Sequence, residues 1–436
     1  MALIAPLKPL RYALNKVSLA KVVAPPYDVI SEQGRAELAA LDPHNVVRLI
    51  LPEGEGDSRY ANAATTLRAW QESGVLVRDD EPGFYRYDQT FVAPGGTRTF
   101  TRSGFLALVG TQPYEDRVIL PHERTLSGPK EERLKLFRAT QTNLSPGFML
   151  YRDPERRVDG ALEKGKLLAE CATVDGVKHA LTKVSDANAI SAIVSALAPL
   201  QLLIADGHHR YETSLRYRRE VEASLSAPSD ARAEHRYFMV FLANEADPNL
   251  VVFATHRHVH ALPSFNGQSM IEKAREWFVV SELPRGADAR AIESKMTERG
   301  YKGFVVALPD GRSFSLELRA DRDLALHPLL TLKPEALRQA DVTLLHSILF
   351  EDILGLSAEA QAKKTNLWYP QDAGESLAEL RAGKGQLLVL MNPTPVSEVR
   401  AVAEAGEVMP QKSTFFYPKV LTGLAIHTLS PSRLVS

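Results

Sequence analysis

The sequence predicts an α+β protein of more than one domain, and three observations carry that reading. Short apolar runs bounded by Pro and Gly are interspersed with i, i+3, i+4, i+7 apolar patterns, so strands and helices are mixed along the chain. A length of 436 residues exceeds what one core organises, and two or three domains are expected. Apolar residues at 44% and charged residues at 24% are the balance of an ordinary globular chain. The expected regions are 1–115, an N-terminal α+β part; 116–261, a central core; and 262–436, a C-terminal α+β part that contributes a Lys-Ser-Thr loop.

Whole-chain properties exclude several function classes. A formal charge of -1 gives no bulk drive onto nucleic acid or an anionic membrane. Cys171 stands alone, which rules out a disulfide framework and any cysteine metal site. Pro6, Lys8 and Pro9 interrupt the opening apolar residues before a leader could form, and no run of 18 apolar residues occurs. A cytoplasmic protein without nucleic-acid or membrane partners is expected.

In chain order, residues 1–28 read as an extended arm, with a short strand at 21–24 stopped by Pro25-Pro26. Tyr27-Asp28 opens a turn, and Asp28 either faces a site or simply shapes that turn. A helix is expected at 31–41, capped by Ser31, then a strand at 45–51 and a solvated acidic loop at 52–57. Tyr60, Ala63, Ala64, Leu67 and Trp70 keep a helical rhythm that Gly74 ends. Two β-rich runs, 84–92 and 97–109, are joined by Pro94-Gly95-Gly96 as a hairpin. A charged helix at 130–140 precedes the turn residues Asn143-Leu144-Ser145-Pro146. The strand at 147–151 leads into a polar region in which Cys171 is read as inert. A helix at 186–198 follows, capped by Asp186 or Ser185.

The stretch 200–225 is the most informative. Leu202, Leu203, Ile204 and Ala205 form a buried-strand run, and helix formers dominate from Tyr211. Between them lies Asp206-Gly207-His208-His209-Arg210. A strand, a Gly turn and a helix start bring backbone N–H groups and a positive helix end to one point, which suits a phosphate. Arg210 is a candidate to grip that phosphate with two parallel hydrogen bonds, His208 and His209 are candidate donors, and Asp206 is a candidate Mg²⁺ ligand. The alternative is a polar surface turn.

Beyond it, 235–242 and 250–260 read as strands. Period-two spacing sets His256, His258 and His260 on one face; with no carboxylate nearby, a strand is favoured over a Zn²⁺ or Cu²⁺ site. His256 and Arg257 are instead candidates for the phosphate pocket. The C-terminal region adds helical 331–356, with Asp341 as a cap, a strand at 386–391, and a helix started by Thr394-Pro395 and ended by Gly406. Lys412, Ser413 and Thr414 are an anion-binding set without the Gly-rich lead of a P-loop.

Asp206-Gly207-His208-His209-Arg210 resembles the nucleotide-binding signature of the ParB/sulfiredoxin superfamily, in the two-histidine form of archaeal free-serine kinases. A wider resemblance, to the domain-of-unknown-function family "ten-fifteen", rests on five segments. They are Ala24-Pro25-Pro26-Tyr27-Asp28-Val29-Ile30, Pro121-His122-Glu123-Arg124-Thr125, Asn143-Leu144-Ser145-Pro146, residues 205–212, and Met409-Pro410-Gln411-Lys412-Ser413-Thr414. The resemblance implies a ParB/sulfiredoxin-like core and a small-molecule kinase, with free L-serine the favoured hydroxyl acceptor and ATP, ADP or another phosphoanhydride as donor with Mg²⁺. It implies Glu123 as the base that takes the acceptor proton, with His122 and Arg124 beside it and Lys412 orienting the acceptor or neutralising charge; the alternative for Glu123 is a surface pair with Arg124. The alternative activity is a nucleotide-driven switch of the ParB kind, without phosphorylation of a metabolite. Sulfiredoxin-type repair needs a cysteine where this chain has His208.

Overall fold

The apolar run Tyr237–Asn244 is buried along its whole length because it lies inside a sheet with a neighbour on each side. It belongs to the first of two compact units in the computed structural model, which describes residues 1–93, 98–125, 127–299 and 302–436. The first unit comprises Met1–Pro121, Thr125–Val251 and Pro418–Ser436; the second comprises His122–Arg124 and Val252–Tyr417. Both are α+β.

The first unit is built on a nine-stranded mixed sheet. Its strands are β1 (Ile4–Ala5), β2 (Phe84–Val92), β3 (Thr99–Gly110), β4 (Ile119–Leu120), β5 (Gly147–Tyr151), β6 (Lys166–Ala172), β7 (Lys178–Val184), β8 (Leu202–Asp206) and β9 (Tyr237–Asn244). The spatial order is β4-β8-β5-β9-β3-β2-β7-β6, with β1 paired to β3. The β8–β4 and β9–β5 pairs are parallel and the others antiparallel. Strands β2 and β3 pair from Tyr85–Leu106 to Val92–Thr99, the expected hairpin, while its Pro94-Gly95-Gly96 turn lies outside the described residues. Helices α1 (Glu32–Leu41), α2 (Val47–Ile50), α3 (Ser58–Glu72), α4 (Ser127–Thr140), α5 (Ala187–Leu197) and α6 (His208–Ser224) complete the frame. Phe105, Met149, Ile193, Leu197, Ile204, Tyr211 and Phe238 share one core. Leu49, Ile50, Tyr60, Leu67, Trp70, Leu136 and Ile426 share a second.

Several expectations hold for the reason given. The Ser31 hydroxyl accepts from Gly34 N–H at 3.0 Å and the Asp186 carboxylate from Ala189 N–H at 2.8 Å, so both cap helices. Others need correction. The run 45–51 holds the one-turn helix α2, Val47–Ile50, rather than a strand. Asn45 decides this: its Oδ1 accepts from Val47 N–H at 2.9 Å, while its Nδ2 donates to the carbonyls of Lys21 and Val23. The strand expected at 21–24 is helical over Leu19–Val22. The extended arm is woven in, since Ile4 and Ala5 pair with Val109 and Leu108. The polar region around Cys171 is the β6–β7 hairpin, with His179 buried between Tyr87 and Thr173 at 2.7 and 2.9 Å.

The second unit has a six-stranded sheet of β10 (Arg257–Val259), β11 (Phe278–Glu282), β12 (Gly303–Ala307), β13 (Ser313–Leu318), β14 (Leu367–Trp368) and β15 (Leu387–Met391). Their order is β11-β13-β12-β15-β10-β14, and every neighbouring pair is antiparallel. Both faces are covered, which is why β12 and β15 are apolar without alternation. Phe304, Val306, Leu387 and Val389 pack with Ile271, Leu345 and Leu349. Val305, Ala307, Leu388 and Leu390 pack on the opposite face with Ile292, Met296, Leu377 and Leu380. Two cap expectations shift by a residue. Asp341 begins its helix, with Ala340 at the cap, and Pro395 caps the helix Val396–Glu404 in place of Thr394. The expected strand at 250–260 breaks into Val251–Phe253 and β10.

Burial holds His179 and His427 neutral in the first unit, each with its pKa pushed down to about 4. Each therefore contributes stability that is present above about pH 6.5 and is lost as pH falls towards 4, at about 1.4 kcal/mol per pH unit for each group. The thermal midpoint should fall across that window. His179→Gln, which retains a donor and an acceptor, should flatten the fall; an unchanged slope would show that His179 does not contribute.

Candidate functional site

The site residues expected from sequence fall into two sets, one in each unit. In the first unit, β8 ends at Asp206 and α6 begins at His208, so the turn is Gly207 alone. Gly207 has φ +91°, a left-handed conformation, and a Cβ there would meet the Arg210 guanidinium at 3.0 Å. The turn is therefore closed to other residues by backbone conformation and by crowding. Tyr211 N–H reaches Gly207 O at 3.0 Å and starts the helical ladder.

Arg210 folds back over this turn. Its Nη1 donates to Pro146 O, and its Nη2 reaches Asp206 Oδ2 at 3.3 Å. Lys419 Nζ reaches the same carboxylate oxygen at 3.4 Å. Asn143-Leu144-Ser145-Pro146 has a structural part in this. Asn143 Oδ1 accepts from Met239 N–H at 2.7 Å and its Nδ2 donates to Ser145 O at 2.7 Å, which fixes the turn just before the Pro146 carbonyl that Arg210 holds. Here Arg210 braces the turn.

His208 is buried and His209 half-buried. Burial lowers the His209 pKa most; Glu212 and Asp28 pull it up, and Lys130 and Arg210 push it down. Asp28, on an exposed single turn at Tyr27–Val29, is thus electrostatically close to the His209 ring. The Arg133 guanidinium lies 4.1 Å from the Tyr27 ring centroid and donates to Ile50 O at 2.7 Å. Glu212 is held by Lys130 and Thr125, both at 2.8 Å. One neighbourhood of this unit therefore gathers Asp28, Tyr27, His209, Arg210, Asp206 and Lys130 around a helix start, an arrangement suited to an anion. Asp206 already faces two cations, and no group of three His, Cys, Asp or Glu side chains among the described residues can hold a metal. Mg²⁺ commonly takes one or two carboxylates plus substrate oxygens, and Asp206 offers one carboxylate.

In the second unit, His122–Arg124 is joined to the chain near Met409. Met409 N–H donates to His122 O at 2.8 Å, and Glu123 forms a parallel bridge with Met409. His122 is fully buried, with Nε2 3.0 Å from Thr414 Oγ1, whereas Arg124 is exposed. Lys412 has φ +60°, and its carbonyl accepts from Arg257 Nη2 at 3.1 Å. The Ser413 hydroxyl donates to Pro410 O and so shapes the loop. The three histidines of 256–260 have different partners on the two sides of β10. His256 Nδ1 accepts from Met391 N–H at 3.2 Å, His258 packs edge-on against Trp368, and His260 stacks on Trp368 at 4.1 Å. Of the three, His258 lies in strand β10, and His256 and His260 flank it.

Sequence reasoning missed Lys419 beside Asp206, and Lys364 and Tyr369 near Glu123. No local pattern marks them, because each is placed by pairing over a long sequence separation.

Gly207→Ala should cost about 1–3 kcal/mol of stability, as expected for a side chain forced into the left-handed region. Denaturant unfolding measures it, and a neutral result would show that the turn relaxes freely.

A family profile described as "Protein of unknown function (DUF1015)" matches residues 4–343. Among curated proteins, none matches the sequence. Several solved structures are similar to the chain. A conserved hypothetical protein from Pyrococcus furiosus shares 16% identity over 70% of this chain and 90% of that one, with a TM-score of 0.33. A free serine kinase in complex with AMP shares 13% over 73% and 90%, with a TM-score of 0.36. SbnI with a C-terminal truncation, from Staphylococcus aureus, shares 12% over 73% and 85%, with a TM-score of 0.34.

Proposed function

The chain belongs to the DUF1015 family, and from its own residues and the resemblance of its Asp206–Arg210 motif we propose that it is a small-molecule kinase, transferring a phosphoryl group from a nucleotide or other phosphoanhydride to a hydroxyl, with free L-serine the favoured acceptor. The observation that carries the reading is the Gly207 turn, where a buried strand passes through a single left-handed glycine into the 17-residue helix α6. Phosphoryl transfer asks a protein mainly for positioning and charge neutralisation. The turn and the start of α6 supply the dipole and the backbone donors. His208 and His209 add imidazole donors, and Arg210 fixes the shape against which phosphates lie.

Glu123 has the role of general base, by resemblance of the His122-Glu123-Arg124 segment to the serine kinases. A base removes the acceptor proton as the new O–P bond forms, while the donor's bridging oxygen leaves with its electron pair. Asp206 would hold a magnesium ion brought with ATP or ADP, which would offset phosphate charge.

The test has two stages. ATP, ADP, CTP and pyrophosphate are each added with Mg²⁺, and the thermal midpoint is read; a ligand bound at 100 times its dissociation constant stabilises by about 2.7 kcal/mol. Labelled phosphate should then appear on serine, and Glu123→Gln should slow transfer by about 10²–10⁴-fold while leaving nucleotide binding intact. Turnover unchanged in that variant removes Glu123 from the base role. Binding of CTP without transfer replaces the kinase by a nucleotide-driven switch.

A further inference from the structure

A second feature lies wholly within the second unit, around the ring of Tyr369. The Arg257 guanidinium stands 5.5 Å from the ring centroid and Lys364 Nζ stands 5.9 Å from it. Arg257 is almost fully buried at 2% exposure. Its Nη groups are spent on the Thr255 and Lys412 carbonyls, and its Nε has no hydrogen-bond partner. That contact fixes the backbone of Lys412, which is exposed, as is Lys364.

Both lysines sit at left-handed backbone positions, with φ +57° at Lys364 and +60° at Lys412, a conformation L side chains rarely adopt. Although the Lys364 side chain reaches solvent, partial burial of its ammonium against Tyr369 pushes its pKa down, the nearby charge on Lys412 adds to this, and Glu123 pulls it back up. Glu123 also bears on Arg257 and on the Tyr369 phenol, which burial keeps protonated and able to donate. Among the described residues, three cations therefore gather with one carboxylate around one aromatic platform. Like charges held together gain most from an anion placed between them.

We propose that Arg257, Lys364, Lys412 and Tyr369 form an oxyanion-binding site carried by the second unit, which takes the carboxylate or phosphate group of a small acceptor molecule beside Glu123. Lys364 and Lys412 supply mobile ammonium donors, Tyr369 supplies a hydroxyl and a ring face, and buried Arg257 supplies fixed charge. Its use for an acceptor rests on the kinase reading above; the binding of an anion does not.

Titration calorimetry of the full chain tests it, with inorganic phosphate, L-serine and ADP titrated separately into the wild type, Lys364→Ala and Lys412→Ala. Both substitutions are at exposed positions, so the fold should persist. Phosphate or serine should bind the wild type, and each substitution should weaken that binding at least about tenfold, as expected when a charge-assisted hydrogen bond is lost. ADP affinity should be unchanged. Phosphate binding without serine binding identifies a phosphate group as the ligand; the reverse identifies a carboxylate. Wild type that binds neither anion, or variants that bind both as tightly as wild type does, overturns the site. A parallel loss of ADP affinity assigns the lysines to the nucleotide and also overturns it. Anion binding without any ADP binding leaves the site standing and removes the kinase reading.

Discussion

The pairing of Arg210 with Asp206 across Gly207 is the constraint on which the first unit's candidate site depends. It links the last residue of a buried strand to the first turn of the helix that follows, and it carries a third partner in Pro146 O. Hydrogen bonds to a charged group contribute about 1.5–3 kcal/mol each, more than neutral ones. They act here on residues that are largely withheld from water. Only glycine fits beneath the guanidinium, so the turn, the ion pair and the residue that makes both possible form one unit of structure. Lys419 adds a second cation to the same carboxylate and ties the C-terminal segment to it.

The two units solve the burial problem differently. In the first, helices and loops cover a nine-stranded mixed sheet, and polar groups enter the interior as satisfied anchors such as Asn45 and Asn143. Each anchor satisfies backbone groups that would otherwise be costly to bury. In the second, an all-antiparallel sheet is apolar on both faces, and its charged groups collect where the loops around Lys364 and Lys412 meet Arg257 and Glu123.

Much of the frame was legible in the sequence. The α+β class, the hairpin of β2 and β3, the helices capped by Ser31 and Asp186, and the strand–Gly–helix join at 202–208 all rest on local signals of period, cap and turn. Those signals are short-range, and so is what they report. Residues 45–51 misled because an apolar run of that length fits a strand or a helical turn equally well, and the arbiter was an Asn side chain reaching residues 21–23. The β6–β7 hairpin was missed because its residues are largely half-exposed and carry no continuous apolar run. For the candidate site, the motif named the turn but not the work of Arg210, which is set by a carbonyl 64 residues away. Lys364 and Tyr369 were beyond reach for the same reason.

The order in which the chain visits its two units has a consequence for how it is made. Three residues, His122–Arg124, belong to the second unit although the sequence on both sides of them belongs to the first. The first unit also reclaims the chain at Pro418, after the second is complete. Its closing contacts are late ones: Ile426 N–H and O on Leu10, His427 paired with Asn143, and Lys419 on Asp206. Domains that occupy one continuous stretch can fold as they emerge from the ribosome, N-terminal first. Here the opening segment waits for residues 418–436, so the unit that carries the Gly207 turn acquires these partners only after the second unit has been made.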